Sequence, residues 1–229
     1  EYPELIVPDS PTQRVSPDLT ESFTEVAHRT PMLSLDNSYN AEDLQDFDTA
    51  VKKLAALPPE TEVEYAVEPK FDGGTIVLLY ENDRFTRAAT RGNGQLGDEV
   101  TPNLRTLRSI PLAAGFSKHG IAEAELRGEV LIRKDIFEKI NARRLEAGET
   151  LFANPRNAAT GGLRMKDPKE AANRGLEAFI YQLGYAVDAA GNNALGNFKS
   201  HDETIRLLDG LGFKAPGLDE TAKGKLPER

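Results

Sequence analysis

The chain has 229 residues, of which 39% are apolar and 28% charged, enough for a core and a well-solvated surface. It has no cysteine, which excludes disulfides, thiolate nucleophiles and cysteine-held metal sites; its three histidines, His28, His119 and His201, are too scattered for a local metal motif. The net charge of −9 is uneven: residues 1–62 carry 13 acidic against 4 basic residues, while residues 84–166 carry 15 basic against 9 acidic.

The acidic total speaks against a polyanionic partner, and the basic middle speaks for one, because phosphate contacts are local. No apolar run approaches the ~20 residues of a membrane span, and no signal-peptide pattern opens the chain. A cytoplasmic protein is expected. Glu1-Tyr2-Pro3-Glu4-Leu5 lacks an initiator methionine, so a segment of a longer polypeptide is expected.

In chain order, residues 1–40 are rich in Pro, Ser, Thr and Asp and predict an extended arm with turns. From Ala41 to Leu57, Leu44, Phe47, Val51 and Leu54 recur at helical spacing until Pro58-Pro59, which predicts an amphipathic helix with Phe47 turned to the core. Residues 63–68 alternate Val63, Tyr65 and Val67 with Glu64, Ala66 and Glu68 and predict a strand. The β-branched and apolar run 75–80, the turn Glu81-Asn82-Asp83 and the stretch 85–90 extend it into an antiparallel meander. Further strands are predicted at 124–132 and 178–187, and helices at 98–107, 134–147, 155–164 and 201–210. Gly191-Asn192-Asn193-Ala194 reads as a turn. With no internal repeat, this is an α+β chain forming one domain.

The residues that carry chemistry cluster at Glu68-Pro69-Lys70-Phe71-Asp72-Gly73-Gly74. On an extended chain Glu68, Lys70 and Asp72 share a face, and the glycines permit a turn or a close backbone approach. By itself this also fits an exposed edge with an ion-pair ladder. Three other segments add weight. Glu125, Arg127 and Glu129 share one strand face. Arg91-Gly92-Asn93-Gly94 places an arginine before a glycine-rich turn able to offer N–H groups to an anion. Asn154-Pro155-Arg156-Asn157 opens a helix whose N-terminus suits a phosphate. One lysine among carboxylates and arginines suits phosphoryl chemistry with a lysine nucleophile. It does not suit Ser/His/Asp hydrolysis or a two-carboxylate glycosidase, and neither a P-loop nor a G-x-G-x-x-G turn occurs.

With these blocks in place, the chain closely resembles the adenylation (nucleotidyltransferase) domain of bacterial NAD+-dependent DNA ligases. The resemblance covers most of its length. It runs through Pro8-Asp9-Ser10-Pro11-Thr12, Pro31-Met32-Leu33-Ser34-Leu35-Asp36-Asn37, Glu68-Pro69-Lys70-Phe71-Asp72-Gly73 and Ala89-Thr90-Arg91-Gly92. It continues with Asn103-Leu104-Arg105-Thr106, Arg127-Gly128-Glu129-Val130 and Leu151-Phe152-Ala153-Asn154-Pro155-Arg156-Asn157. The K-x-D-G core is shared with ATP-dependent ligases and capping enzymes, whereas Ser-Leu-Asp-Asn and Asn-Pro-Arg-Asn belong to the NAD+ branch.

The resemblance implies a nucleotidyltransferase fold of the DNA ligase and mRNA capping enzyme type, with antiparallel sheets flanked by helices. It makes Lys70 the nucleophile that becomes AMP-lysine, with Asp72 beside it. It places Ser34, Leu35, Glu68, Arg91 and Glu129 at the nucleotide, Glu129 on the ribose, and Tyr181 stacked on adenine. It puts Arg156 and Arg164 on a DNA-facing surface. NAD+ and Mg2+ are the implied small partners, zinc belonging only to downstream domains absent here. Nicked double-stranded DNA is the implied macromolecular partner of a cytoplasmic, nucleoid-associated monomer.

The chain also departs from the family. Residues 41–229 are expected to form the adenylation domain without its two later lysine motifs, one of the form D-G-x-V-x-K, so self-adenylation in isolation is not expected. Gly74 replaces a bulkier apolar residue, and Asn93 replaces an aspartate. His28 and His201 read as surface or capping residues. Two alternatives remain at this stage, an ATP-dependent ligase or capping-type nucleotidyltransferase, and a non-catalytic nucleotide- or DNA-binding module.

Overall fold

A computed structural model describes Val7, Ser10, Arg14 and residues 22–216. The rest of the predicted arm and the last residues of the chain lie outside the described residues. The centre is a four-stranded antiparallel sheet in the order β3-β2-β5-β6, formed by β2 (Gly74–Glu81), β3 (Arg84–Thr90), β5 (Glu123–Ile132) and β6 (Leu176–Val187). A small second sheet pairs β1 (Glu25–Ala27) with β4 (Leu96–Asp98). Among the described residues no helix is long and apolar enough to cross a membrane.

β2 reads as a continuous apolar run because both of its faces are covered. Ile76, Leu78 and Tyr80 face the main core with Leu126, Ile180, Leu163 and Leu208. Val77 and Leu79 point the other way and lie under Val26, Ala27 and His28. Residues 26–28 of the predicted arm therefore belong to a strap over the second face of the sheet. The same alternation divides β5: Ala124, Leu126 and Val130 enter the core, while Glu125, Arg127 and Glu129 face the strap side, opposite Leu79, Val77 and Thr75 of β2.

The helices follow their local signals closely. α3 spans Lys134–Glu146, α4 Pro155–Leu163 and α6 His201–Gly210. Asn154 caps α4 by accepting from the Asn157 N–H at 2.8 Å, and Pro155 takes the first turn, where a missing N–H costs nothing. Ser200 caps α6, and Glu203 reaches back to the Lys199 N–H at 2.7 Å. α2 (Thr101–Arg105) is shorter than the predicted 98–107, because Asp98 is taken into β4 opposite Glu25. α5 (Pro168–Ala172) is a single turn that the sequence pattern misses.

Two expectations fail. Residues 63–68 form no strand: β2 already has β3 on one side and β5 on the other, and Pro69 has no N–H to give to a ladder. Val67 is 82% exposed, and Tyr65 instead donates its hydroxyl to Asp48 of α1 (Ala41–Leu54) at 2.8 Å. Phe47 is not a core residue but 52% exposed, with its ring 5.8 Å from that of Tyr65. No residue of α1 is buried, so the helix stands on the surface.

Candidate active site

Because residues 68–72 lie outside any ladder, the face-sharing expected of Glu68, Lys70 and Asp72 is not a strand property. Side chains from elsewhere in the fold hold this segment instead. Glu68 Oε1 lies 2.9 Å from His201 Nε2 at the start of α6. Phe71 packs on Phe179 of β6 with ring centroids 4.9 Å apart. Asp72 pairs with Arg156 in the first turn of α4 at 3.2 Å. The Gly73 N–H donates to Glu129 Oε1 at 3.0 Å. Lys70, between these anchors, is exposed and makes no hydrogen bond or ion pair with a described residue.

Gly73 is required by close approach. A Cβ there would come within 2.1 Å of the Val130 carbonyl oxygen. Gly74 occupies the position where the resembled family carries a bulkier residue, and Leu163 and Thr160 of α4 fill the space in front of it. The helix thus sits close against the sheet and delivers Arg156 to the edge of the Lys70 segment.

Glu129 is 8% exposed. Burial pushes its carboxyl above the ordinary value, against the hydrogen bonds from Thr75 and the Gly73 N–H and the positive charges of Lys70 and Arg156. Tyr181 senses the same neighbourhood. Its phenol is raised first by burial and then by the Glu129 charge, while Arg127 and Arg91 oppose the rise. Tyr181 is the extra residue of a bulge, since Arg127 pairs with Gln182 and Gly128 with Ile180. Such a bulge re-aims a side chain, a feature that alternation along the sequence does not reveal.

Arg91 donates to the Ser34 hydroxyl at 2.8 Å, and its own N–H is held by the Thr75 carbonyl. Arg127 fastens the strap just before Ser34, donating to Thr30 O, Thr30 Oγ1 and Pro31 O. The Met32 N–H closes the same stretch onto the Gly94 carbonyl at 2.8 Å. Asn93, where the family has aspartate, accepts from the Gln95 and Leu96 N–H groups and shapes this turn.

The fold thus links Glu129 electrostatically with Lys70, Arg156 and Tyr181, Tyr181 with Arg91, Arg156 with Asp72, and Arg91 with Ser34, while Glu68 joins His201. Leu35, next to Ser34 on the strap, is 78% exposed. Arg164, which ends α4, pairs with Asp98 of β4 at 3.0 Å and does not join the cluster. His201 and Arg127 were not singled out individually as site residues, because their partners lie 133 and 96–97 residues away in sequence.

What this cluster offers is an accessible primary amine framed by a buried carboxylate, two arginines and a half-buried tyrosine. Amine, carboxylate and guanidinium groups of this kind suit a phosphorylated ligand. The model of the NAD-dependent DNA ligase adenylation domain matches residues 20–225. The chain is 58% identical to a DNA ligase of Sulfurihydrogenibium azorense over 228 residues, covering 96% of this chain and 32% of that protein. It is 57% identical to a DNA ligase of Persephonella marina, with 96% and 32% covered. Identity to a DNA ligase of Aquifex aeolicus is 53%, with 93% and 28% covered. The chain spans about a third of the length of these curated relatives. With both the residue cluster and the match across almost its whole length in hand, the chain belongs to the family of NAD-dependent DNA ligase adenylation domains.

Proposed function

We propose that this domain performs the adenylation chemistry of an NAD+-dependent DNA ligase, with Lys70 as nucleophile. The Lys70 amine attacks the α-phosphate of NAD+. A nitrogen–phosphorus bond forms, the pyrophosphate P–O bond breaks, nicotinamide mononucleotide leaves with the bonding pair, and the amine loses a proton to solvent. The phosphoramidate keeps AMP activated. The 5′-phosphate of a nick then takes the AMP, and the 3′-hydroxyl displaces it to seal the strand. The observation that carries this reading is the placing of Lys70: an exposed, unpaired amine in a segment fixed on both sides, at Glu68 and at Phe71 to Gly73.

Each step builds charge on phosphate oxygens, which cations fixed in place stabilise best. Arg156 lies beside Asp72 for that task, and Arg91 holds the strap residue Ser34. Glu129, accepting from the Gly73 N–H, is assigned to the ribose hydroxyls, Tyr181 to stacking on adenine, and Glu68 to the base edge. Ser34 and Leu35 are assigned to the strap side of the nucleotide, and Arg164 with Arg156 to the phosphates of nicked duplex DNA. Among the described residues no three carboxylate or imidazole groups are arranged to hold a cation. Mg2+ is usually held by one or two carboxylates together with substrate phosphates and waters, so such an ion would be shared with the nucleotide, and the roles above are those of the chain's own side chains.

The test is intact mass of the full-length ligase after incubation with NAD+. An AMP adduct is expected, and Lys70→Ala should abolish it. An adduct that survives the substitution would move the nucleophile elsewhere.

A further inference from the structure

Glu68 anchors the Lys70 segment on its N-terminal side, and its hold comes from His201. His201 is the first residue of α6, a helix that is itself firmly seated. Thr204, Ile205 and Leu208 are buried against the sheet, and Ser200 and Glu203 cap the N-terminus. The His201 ring therefore projects from a rigid base. Its Nε2 lies 2.9 Å from Glu68 Oε1, with the two side chains 39% and 22% exposed. A carboxylate only accepts, so Nε2 carries the proton in this contact. The hydrogen bond occupies one oxygen of Glu68, fixes the carboxylate plane, and leaves Oε2 for a donor arriving from the site.

We propose that His201 is a positioning residue: by holding Glu68 in one orientation it sets the preference of the site for a 6-aminopurine nucleotide over a 6-oxopurine one. This rests on the reading of Glu68 as the base-edge contact. The chemistry of discrimination follows from donors and acceptors. The exocyclic amine of adenine donates to a fixed Glu68 Oε2. The 6-oxo group of hypoxanthine offers an acceptor in its place, and two acceptors repel. A free carboxylate could pivot to accept from the N1–H of the 6-oxopurine and so tolerate it. A carboxylate pinned through Oε1 cannot. Selectivity thus depends on the pin as well as on the carboxylate.

The experiment compares NAD+ with nicotinamide hypoxanthine dinucleotide as adenylation substrates of the full-length ligase, reading the ratio of their kcat/KM values. His201→Phe keeps a ring but no donor, and His201→Ala removes both. Each should lower the ratio by roughly ten- to a hundredfold, the loss of one charge-assisted hydrogen bond, mostly through KM. His201→Gln restores a donor within reach of Glu68 and should restore the ratio, which a purely structural role would not predict. If His201→Ala does not fold, the Phe and Gln pair still decides the matter. Equal losses on both substrates, leaving the ratio at the wild-type value, overturn the proposal while the base contact of Glu68 stands. A wild-type enzyme that does not discriminate, with Glu68→Gln also without effect on the ratio, removes Glu68 from the base and the proposal with it.

Discussion

Replacing Glu129 separates two things that one side chain does. Its Oε1 accepts from the Gly73 N–H at 3.0 Å, and Gly73 is buried. Glu129→Ala leaves that donor without a partner in a place water reaches poorly. An orphaned buried donor costs about 1–3 kcal/mol, and for a chain of this size each kcal/mol lowers Tm by about 2–4 °C. Glu129→Gln keeps an acceptor oxygen and should recover most of the loss. The glutamine variant also carries a pH signature. Burial raises the Glu129 pKa in the folded state, so between the ordinary carboxylate pKa and the raised one the folded chain binds more proton than the unfolded chain. Wild-type stability relative to Glu129→Gln should therefore fall as pH rises through that window and level off above it. Thermal unfolding of the three proteins across pH 4 to 8, the range set by ordinary carboxylates, measures both effects. Equal Tm values for the alanine variant and wild type, or a pH-independent difference between glutamine variant and wild type, would refute the reasoning.

Arg156→Ala in the full-length ligase should lower the slope of log affinity for nicked duplex against log salt by about one unit, as expected for one lost phosphate contact; identical slopes by fluorescence titration would mean that Arg156 meets no phosphate. Because α1 buries no residue, Leu44→Ala should change stability by less than about 0.5 kcal/mol in chemical denaturation, whereas Leu78→Ala in the core should cost about 2–5 kcal/mol; a comparable cost at both sites would show that α1 is packed after all.

What the sequence made legible was what local physics decides. The ends of α4 and α6 follow from Asn154-Pro155 and from Ser200 with Glu203, all within a turn of the residues they cap. The run 75–80 was readable as a strand because apolar residues on both faces need cover on both sides. Residues 63–68 have equally good alternation, yet a meander into β2 needs a free flank on β2, and β3 and β5 already occupy both. Phe47 has helical spacing, but spacing does not say whether anything packs against the helix. At the site, Lys70, Asp72 and Glu129 were visible as residue types in a pattern. The hydrogen bond from His201 to Glu68, the bulge at Tyr181 and the grip of Arg127 on Thr30 join residues far apart in sequence, and no local pattern encodes them.

The pairing of the arginines bears on how such a site could take up phosphate. Four arginines of residues 84–166 are paired with carboxylates inside the fold. Arg156 has Asp72, Arg164 has Asp98, Arg144 has Glu149 and Arg133 has Asp135. These matches are not equivalent. Arg127 gives its donors to three oxygens of the strap, which the Met32 N–H and the Arg91–Ser34 hydrogen bond also hold. The Arg156–Asp72 pair is 62% and 76% exposed, in the range where an ion pair contributes about 0–1 kcal/mol. A phosphate offers Arg156 two equivalent anionic oxygens for bidentate contact in place of a solvated carboxylate, so the exchange costs little. Asp72, released from Arg156, then stands two residues from Lys70 with its charge unpaired. On the proposed reading of Lys70 as nucleophile, binding of phosphate at Arg156 and a change of charge beside Lys70 are in this way one event.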